Sequence, residues 1–137
     1  MTDPDQYDQA TVDAVGKITE ALETIERARG HLYTFHQLTG TADFQLGDAV
    51  ERLREAGHTE LAAEIERDIV GRNVIPGRWT FQIMEEYDDT YWSAIREIEQ
   101  RARDTLTGGL RHLHEARMKE DRRTPGREHH EKGHDKA

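Results

Sequence analysis

Apolar residues recur along this chain at helical spacing, and the pattern divides into four helices. Val12, Val15, Ile18, Leu22, Ile25 and Leu32 form the buried stripe of a first helix. Thr2-Asp3-Pro4 reads as its start, with Asp3 as N-cap and Pro4 at the first helical position. The stripe runs to about Leu38, and Gly40 is the stop signal. Two polar residues, Arg29 and His36, stand in it where an apolar side chain is expected. Thr41 or Asp43 caps a shorter second helix whose face is Leu46, Ala49, Val50, Leu53 and Ala56, ended by Gly57. Thr59 caps a third, with Leu61, Ala62, Ile65 and Ile69 facing inward and Gly71 closing it. The short turn Ala56-Gly57-His58-Thr59 makes helices two and three an antiparallel hairpin.

The stretch from Asn73 to Trp92 holds both tryptophans and opens on a Pro76-Gly77 turn. Thr80 reads as the N-cap of a long fourth helix, with Trp79 stapled onto Met84. Its apolar arc comprises Ile83, Met84, Tyr87, Tyr91, Ala94, Ile95, Ile98, Ala102 and Leu106, flanked by Phe81 and Trp92. The arc covers roughly half the circumference, more than one neighbouring helix requires. Gly108-Gly109 predicts a kink or a close backbone approach, and the helix continues to about residue 120. Residues 121–137 are polar, broken by Pro125-Gly126 and rich in His, Lys and Glu; they read as a disordered tail beyond a helical domain of residues 1–120.

The expected fold is therefore all-α: an up-down-up-down four-helix bundle with two long outer helices, one and four, and a short middle hairpin. The outer helices outrun the hairpin, and their free halves carry Val12, Val15, Ile98, Ala102 and Leu106. A two-helix stalk cannot bury these alone, which predicts a homodimer that completes a second bundle.

Composition narrows the function more than it specifies one. With 137 residues, 34% hydrophobic and 34% charged, the chain suits one thin helical domain. The net charge of −9 is uneven: residues 1–110 carry 11 basic and 22 acidic side chains, whereas residues 111–137 carry 8 and 6, with five of the eight histidines. An acidic body repels phosphate backbones, so nucleic acid is not an expected partner. The absence of cysteine excludes disulfides, thiol catalysis and Cys-ligated zinc. No signal peptide or membrane-spanning segment is evident, which makes a cytoplasmic protein without a membrane partner the expectation. Phosphate-binding Gly-rich loops, GxSxG and HExxH are missing, and Ser93 is the sole serine, so no catalytic residue is assigned.

Asp88 is the position where chemistry could reside, because it lies inside the apolar arc of helix four. A buried carboxylate needs a partner, and in the predicted bundle Arg29 and His36 fall at its level. The cluster reads as a structural ion pair, or alternatively as a small-ligand site built from Arg29, His36 and Asp88 and walled by Trp79 and Trp92. A divalent-metal version would use His36, Glu85 and Asp88, since Glu85 and Asp88 are three apart on one helix face. The Glu55-x-x-His58 pair sits on a Gly-containing helix end, the wrong place for a di-iron ligand. His112, His114, His129, His130 and His134 could chelate soft divalent metals weakly.

Two segments, FHQLTGTADFQLGDAVERLREAGH at 35–58 and GRNVIPGRWTFQIMEEYDDTYW at 71–92, resemble a group of small, uncharacterised all-helical bacterial proteins of the actinomycete type. The likeness covers roughly residues 20–120 and leaves out the tail. It implies an all-helical fold and carries neither an activity nor a functional residue. The expected role is a homo-oligomeric structural or protein-interaction module with a further, unidentified protein partner and no enzymatic activity. The alternative is a helical metal- or small-ligand-binding protein with an Asp/His/Arg site between helices one and four.

Overall fold

A computed structural model of the chain describes residues 6–133. Among them all regular structure is helical apart from an isolated bridge between Ile75 and Arg78. The Asp3-Pro4 start falls outside the described residues. Helix α1 spans Gln9–Glu55, and Asp8 Oδ1 caps it by accepting a 2.7 Å hydrogen bond from the Thr11 N–H.

The predicted break at Gly40 does not occur. An interior glycine costs about 1 kcal/mol relative to alanine, too little to end a helix whose inward stripe continues on both sides. That stripe keeps a strict three-four spacing. Val15, Leu22, Arg29, His36, Asp43 and Val50 alternate with Ile18, Ile25, Leu32, Thr39, Leu46 and Leu53, every one at least partly buried. The predicted first and second helices are thus one, and Thr41 and Asp43 are interior residues rather than caps. With α1 unbroken, the expected up-down-up-down path of four helices is not formed.

Two compact units share α1: residues 25–94, and residues 1–24 with 95–137. In the first, α2 spans Thr59–Asp68 and is reached through Gly57, whose φ of +89° lets the His58 N–H close on the Leu53 carbonyl at 2.8 Å. The Pro76-Gly77 turn is present, with Gly77 at a positive φ and the Arg78 N–H bonded to the Ile75 carbonyl. Helix α3 follows at Thr80–Glu86 and runs directly into a π-helical turn, Tyr87–Trp92. Thr80 is its first residue and not its cap; the Trp79 N–H is held by Gln82 Oε1 at 2.8 Å. Pairings of α1 with the returning chain descend in order: Arg54 with Glu66, Asp43 with Gly71, His36 with Thr80, Arg29 with Asp88. The return is antiparallel throughout this unit.

In the second unit, α4 (Ser93–Leu106, begun just inside the first unit) ends at the Gly108-Gly109 pair. These glycines do more than kink a helix: both take positive φ, and the Gly109 N–H closes on the Arg103 carbonyl at 2.9 Å. Helix α5, Leu113–Arg122, then folds back along the start of α1. Arg117 bonds Gln9 Oε1 and the Tyr7 carbonyl, and an added Cβ at Gly16 would lie 3.2 Å from His114 Cβ. Val12, Val15 and Leu113 are consequently buried inside the chain, so two of the residues expected to need a second copy are already covered. Beyond α5 the chain forms turns through residue 133, with Arg123 bound to Glu120 and to the His130 carbonyl.

The π turn changes which residues α4 buries. It inserts one extra residue, marked by the Ser93 N–H bonding to the Asp88 carbonyl five residues back. One residue corresponds to a rotation of about 100°; of the expected arc Ile95 and Ala102 stay partly buried, Tyr91, Ala94, Ile98 and Leu106 turn outward, and Glu99, Arg103 and Thr107 join the inward face. Tyr91, Ile98 and Leu106 are exposed, whereas Glu99 and Thr107 are buried.

Candidate functional site

Arg29, at the third position of the α1 stripe that Val15 opens, binds Asp88 in a bidentate pair. Its Nε donates to Oδ1 at 2.7 Å and its Nη2 to Oδ2 at 3.0 Å. Nη2 also donates to the Tyr33 hydroxyl at 2.9 Å, and that hydroxyl donates to Asp88 Oδ2 at 3.3 Å. The guanidinium lies 3.9 Å from the Trp92 ring centre and 4.8 Å from that of Tyr33, within cation–π range of both. Trp92 is itself oriented by donating from Nε1 to Glu26 Oε1. Asp88 and Trp92, four residues apart in the π turn, both face α1.

The two charges are about one-fifth exposed, at 22% for Arg29 and 20% for Asp88. Hydrogen bonding to Arg29 holds the Asp88 carboxyl below its ordinary value of 3.8, against the opposing effect of burial, with Arg29's charge and the Tyr33 hydroxyl adding to the depression. The same bond to Asp88 raises Arg29 above its ordinary range.

His36, one heptad further along α1, does not join this cluster. Its Nδ1 shares a 2.7 Å hydrogen bond with the Thr80 hydroxyl, and Thr80 is buried. Asp43, one heptad on again, accepts a 2.9 Å bond from the Gly71 N–H. Three polar residues of the α1 stripe, each a heptad apart, thus meet a specific group on the returning chain. Sequence pattern marks Arg29 and His36 as polar intruders but reads Asp43 as a cap, because the stop expected at Gly40 hides the heptad that carries it.

Trp79 also stands apart from Arg29: its Nε1 donates to the Gly71 carbonyl at 3.1 Å and its ring meets Phe81 edge-on. Glu85 is exposed on a shallow depression with Arg78, Glu86 and Asp89. Of the five residues proposed for a ligand site, the structure therefore gathers Arg29, Asp88 and Trp92, while His36 and Trp79 bind elsewhere. The His36, Glu85 and Asp88 set does not converge, and among the described residues no three His, Asp or Glu side chains form a group that could hold a metal ion.

A second polar cluster went unforeseen by the pattern. Glu99, 4% exposed, binds Arg103 Nε at 2.7 Å and accepts from the Thr19 hydroxyl at 3.0 Å. Thr107, 1% exposed, bonds back to the Arg103 carbonyl. The cavity of about 10 Å3 beside this cluster holds at most one water, so the group is packed rather than open to a substrate. An i, i+4 acid–base pair reads in sequence as a solvated surface pair, whereas here it is buried with the Thr19 hydroxyl.

No helix among the described residues is long and apolar enough to cross a membrane. No protein family, curated protein or solved structure matches the chain.

Proposed function

We propose that this chain is a cytoplasmic, homo-oligomeric interaction module, structural rather than enzymatic, whose Arg29, His36 and Asp43 contacts fix helix register. The observation that carries this reading is the distribution of apolar side chains. Among the described residues Val12, Val15, Val50, Ala62 and Leu113 are buried, while thirteen large hydrophobic residues are at least 41% exposed, Phe44 at 79% and Leu38 at 64% among them. Scattered exposed apolar residues are ordinary, but a chain that buries fewer large apolar side chains than it exposes gains by covering them with another surface. The polar cluster fits the structural role, because Asp88 spends both oxygens on Arg29 and Tyr33 and leaves no charge to recruit a ligand.

Sedimentation velocity of the full chain across micromolar concentrations tests this. The expected result is a species with the mass of two or more chains that dissociates on dilution. A monomer throughout the range would sink the proposal.

A further inference from the structure

Beside α1, in the unit of residues 25–94, lies a cleft of about 460 Å3 lined mainly by apolar groups from Phe44, Leu46, Ile69, Val74 and Trp79. Phe44 stands on its rim as the most exposed of the large hydrophobic residues among those described. Gly40 and Gly47, four residues before and three after Phe44, share its side of the helix. An added Cβ at either would meet nothing within 4 Å. Nothing in the chain's own packing calls for these two interior glycines.

Two opposite charges line the same cleft without pairing to each other. Arg72 makes no side-chain hydrogen bond among the described residues; Asp68, the acid it acts on, is bound through both oxygens by Arg67. Asp43 accepts the Gly71 N–H through Oδ1 and has no cation within ion-pair distance among the described residues.

We propose that this face is where two copies of the chain pair about a two-fold axis, each Phe44 seated in the cleft of the other. The proposal rests on the self-association reading above and names its surface. A two-fold interface is self-complementary, so knob and hole must lie on one patch, as Phe44 and the cleft do. Asp43 and Arg72 add charge complementarity of the same kind: within one chain Arg72 has only Asp68, whose oxygens Arg67 already holds, and a facing copy brings Asp43 to it. Gly40 and Gly47 leave the backbone beside Phe44 bare, which lets the facing helix approach closely.

Sedimentation of the full-length wild type, Phe44→Glu and Leu106→Glu tests the assignment, with circular dichroism to verify unchanged helix content. Phe44 projects into solvent, so its replacement leaves the fold of a single chain intact. Phe44→Glu is expected to weaken the dimer by about a hundredfold or more, as loss of a central aromatic anchor does. Leu106→Glu, on an exposed residue of the other unit, should leave it unchanged. Arg72→Glu should weaken it about tenfold through repulsion by the partner's Asp43, and Gly47→Ala should weaken it while raising helix content. A wild-type dimer that persists in Phe44→Glu overturns this surface and leaves self-association standing, whereas a monomeric wild type overturns both. Dissociation by Leu106→Glu instead would move the interface to α4. A small molecule retained on a monomer in native mass spectrometry would make the cleft a ligand pocket and refute the pairing.

Discussion

Glu99→Ala is expected to destabilise the fold by about 3 kcal/mol, the cost of leaving one member of a buried ion pair without the other. The Arg103 side chain is 11% exposed and that of Glu99 6%, so water cannot replace the lost carboxylate at low cost. The Thr19 hydroxyl loses its acceptor in the same step. The control is the double replacement Glu99→Leu with Arg103→Met, which removes both charges and keeps the volume; it should recover most of the loss, because a buried pair adds little net stability over well-packed apolar groups. Urea titration of the three proteins decides the matter. A loss below about 1 kcal/mol for Glu99→Ala would mean that the pair behaves as a surface pair and that α4 does not hold the phase described.

Arg29→Ala should cost a similar amount, about 3 kcal/mol, since it strips Asp88 of a bidentate partner and removes the cation stacked on Trp92. Asp88→Asn is milder, at about 2 kcal/mol, because the amide oxygen still accepts one bond while the partial exposure of the pair tempers the loss. The pH dependence has a definite sign. The Asp88 carboxyl is depressed in the folded chain, so its stabilisation is complete above its unfolded value near 3.8 and disappears as pH falls through the lower folded value. The stability gap between wild type and Asp88→Asn should therefore be constant from about pH 7 to pH 5 and close below about pH 4. Chemical denaturation at several pH values, followed by tryptophan fluorescence, measures it. A gap that widened on acidification would contradict the pairing.

The two clusters were not equally legible in sequence. Asp88 could be singled out because it interrupts an apolar arc, and the need of a buried carboxylate for a cation pointed to Arg29 or His36. The geometry selects Arg29, since Thr80 occupies His36. Glu99 could not be singled out, because beyond Trp92 the apolar arc and the buried face overlap only at Ile95 and Ala102. Ile98 and Leu106 continue the arc drawn at 100° per residue, yet a turn with one extra residue rotates them outward. The same limitation appears at Gly40. A glycine after an apolar stripe is the usual sign of a helix end, but whether it ends the helix depends on a cost of about 1 kcal/mol against all the contacts the continuing stripe makes.

By itself the sequence determined the helical class, the inward stripe of α1 from Val12 to His36, the hairpin turn at Gly57 and the Pro76-Gly77 turn. These follow from side-chain periodicity and from residues whose backbone preferences are local. Tertiary structure alone decided that α1 runs unbroken through Gly40, that Asp43 belongs to its stripe, that α5 folds back over Val12 and Val15, and that Glu99 rather than Ile98 faces inward. Each of these depends on packing between segments far apart in the chain. A helix continues, ends or gains a π turn according to the contacts its two ends must make at once, and a periodicity measured along one segment does not contain them.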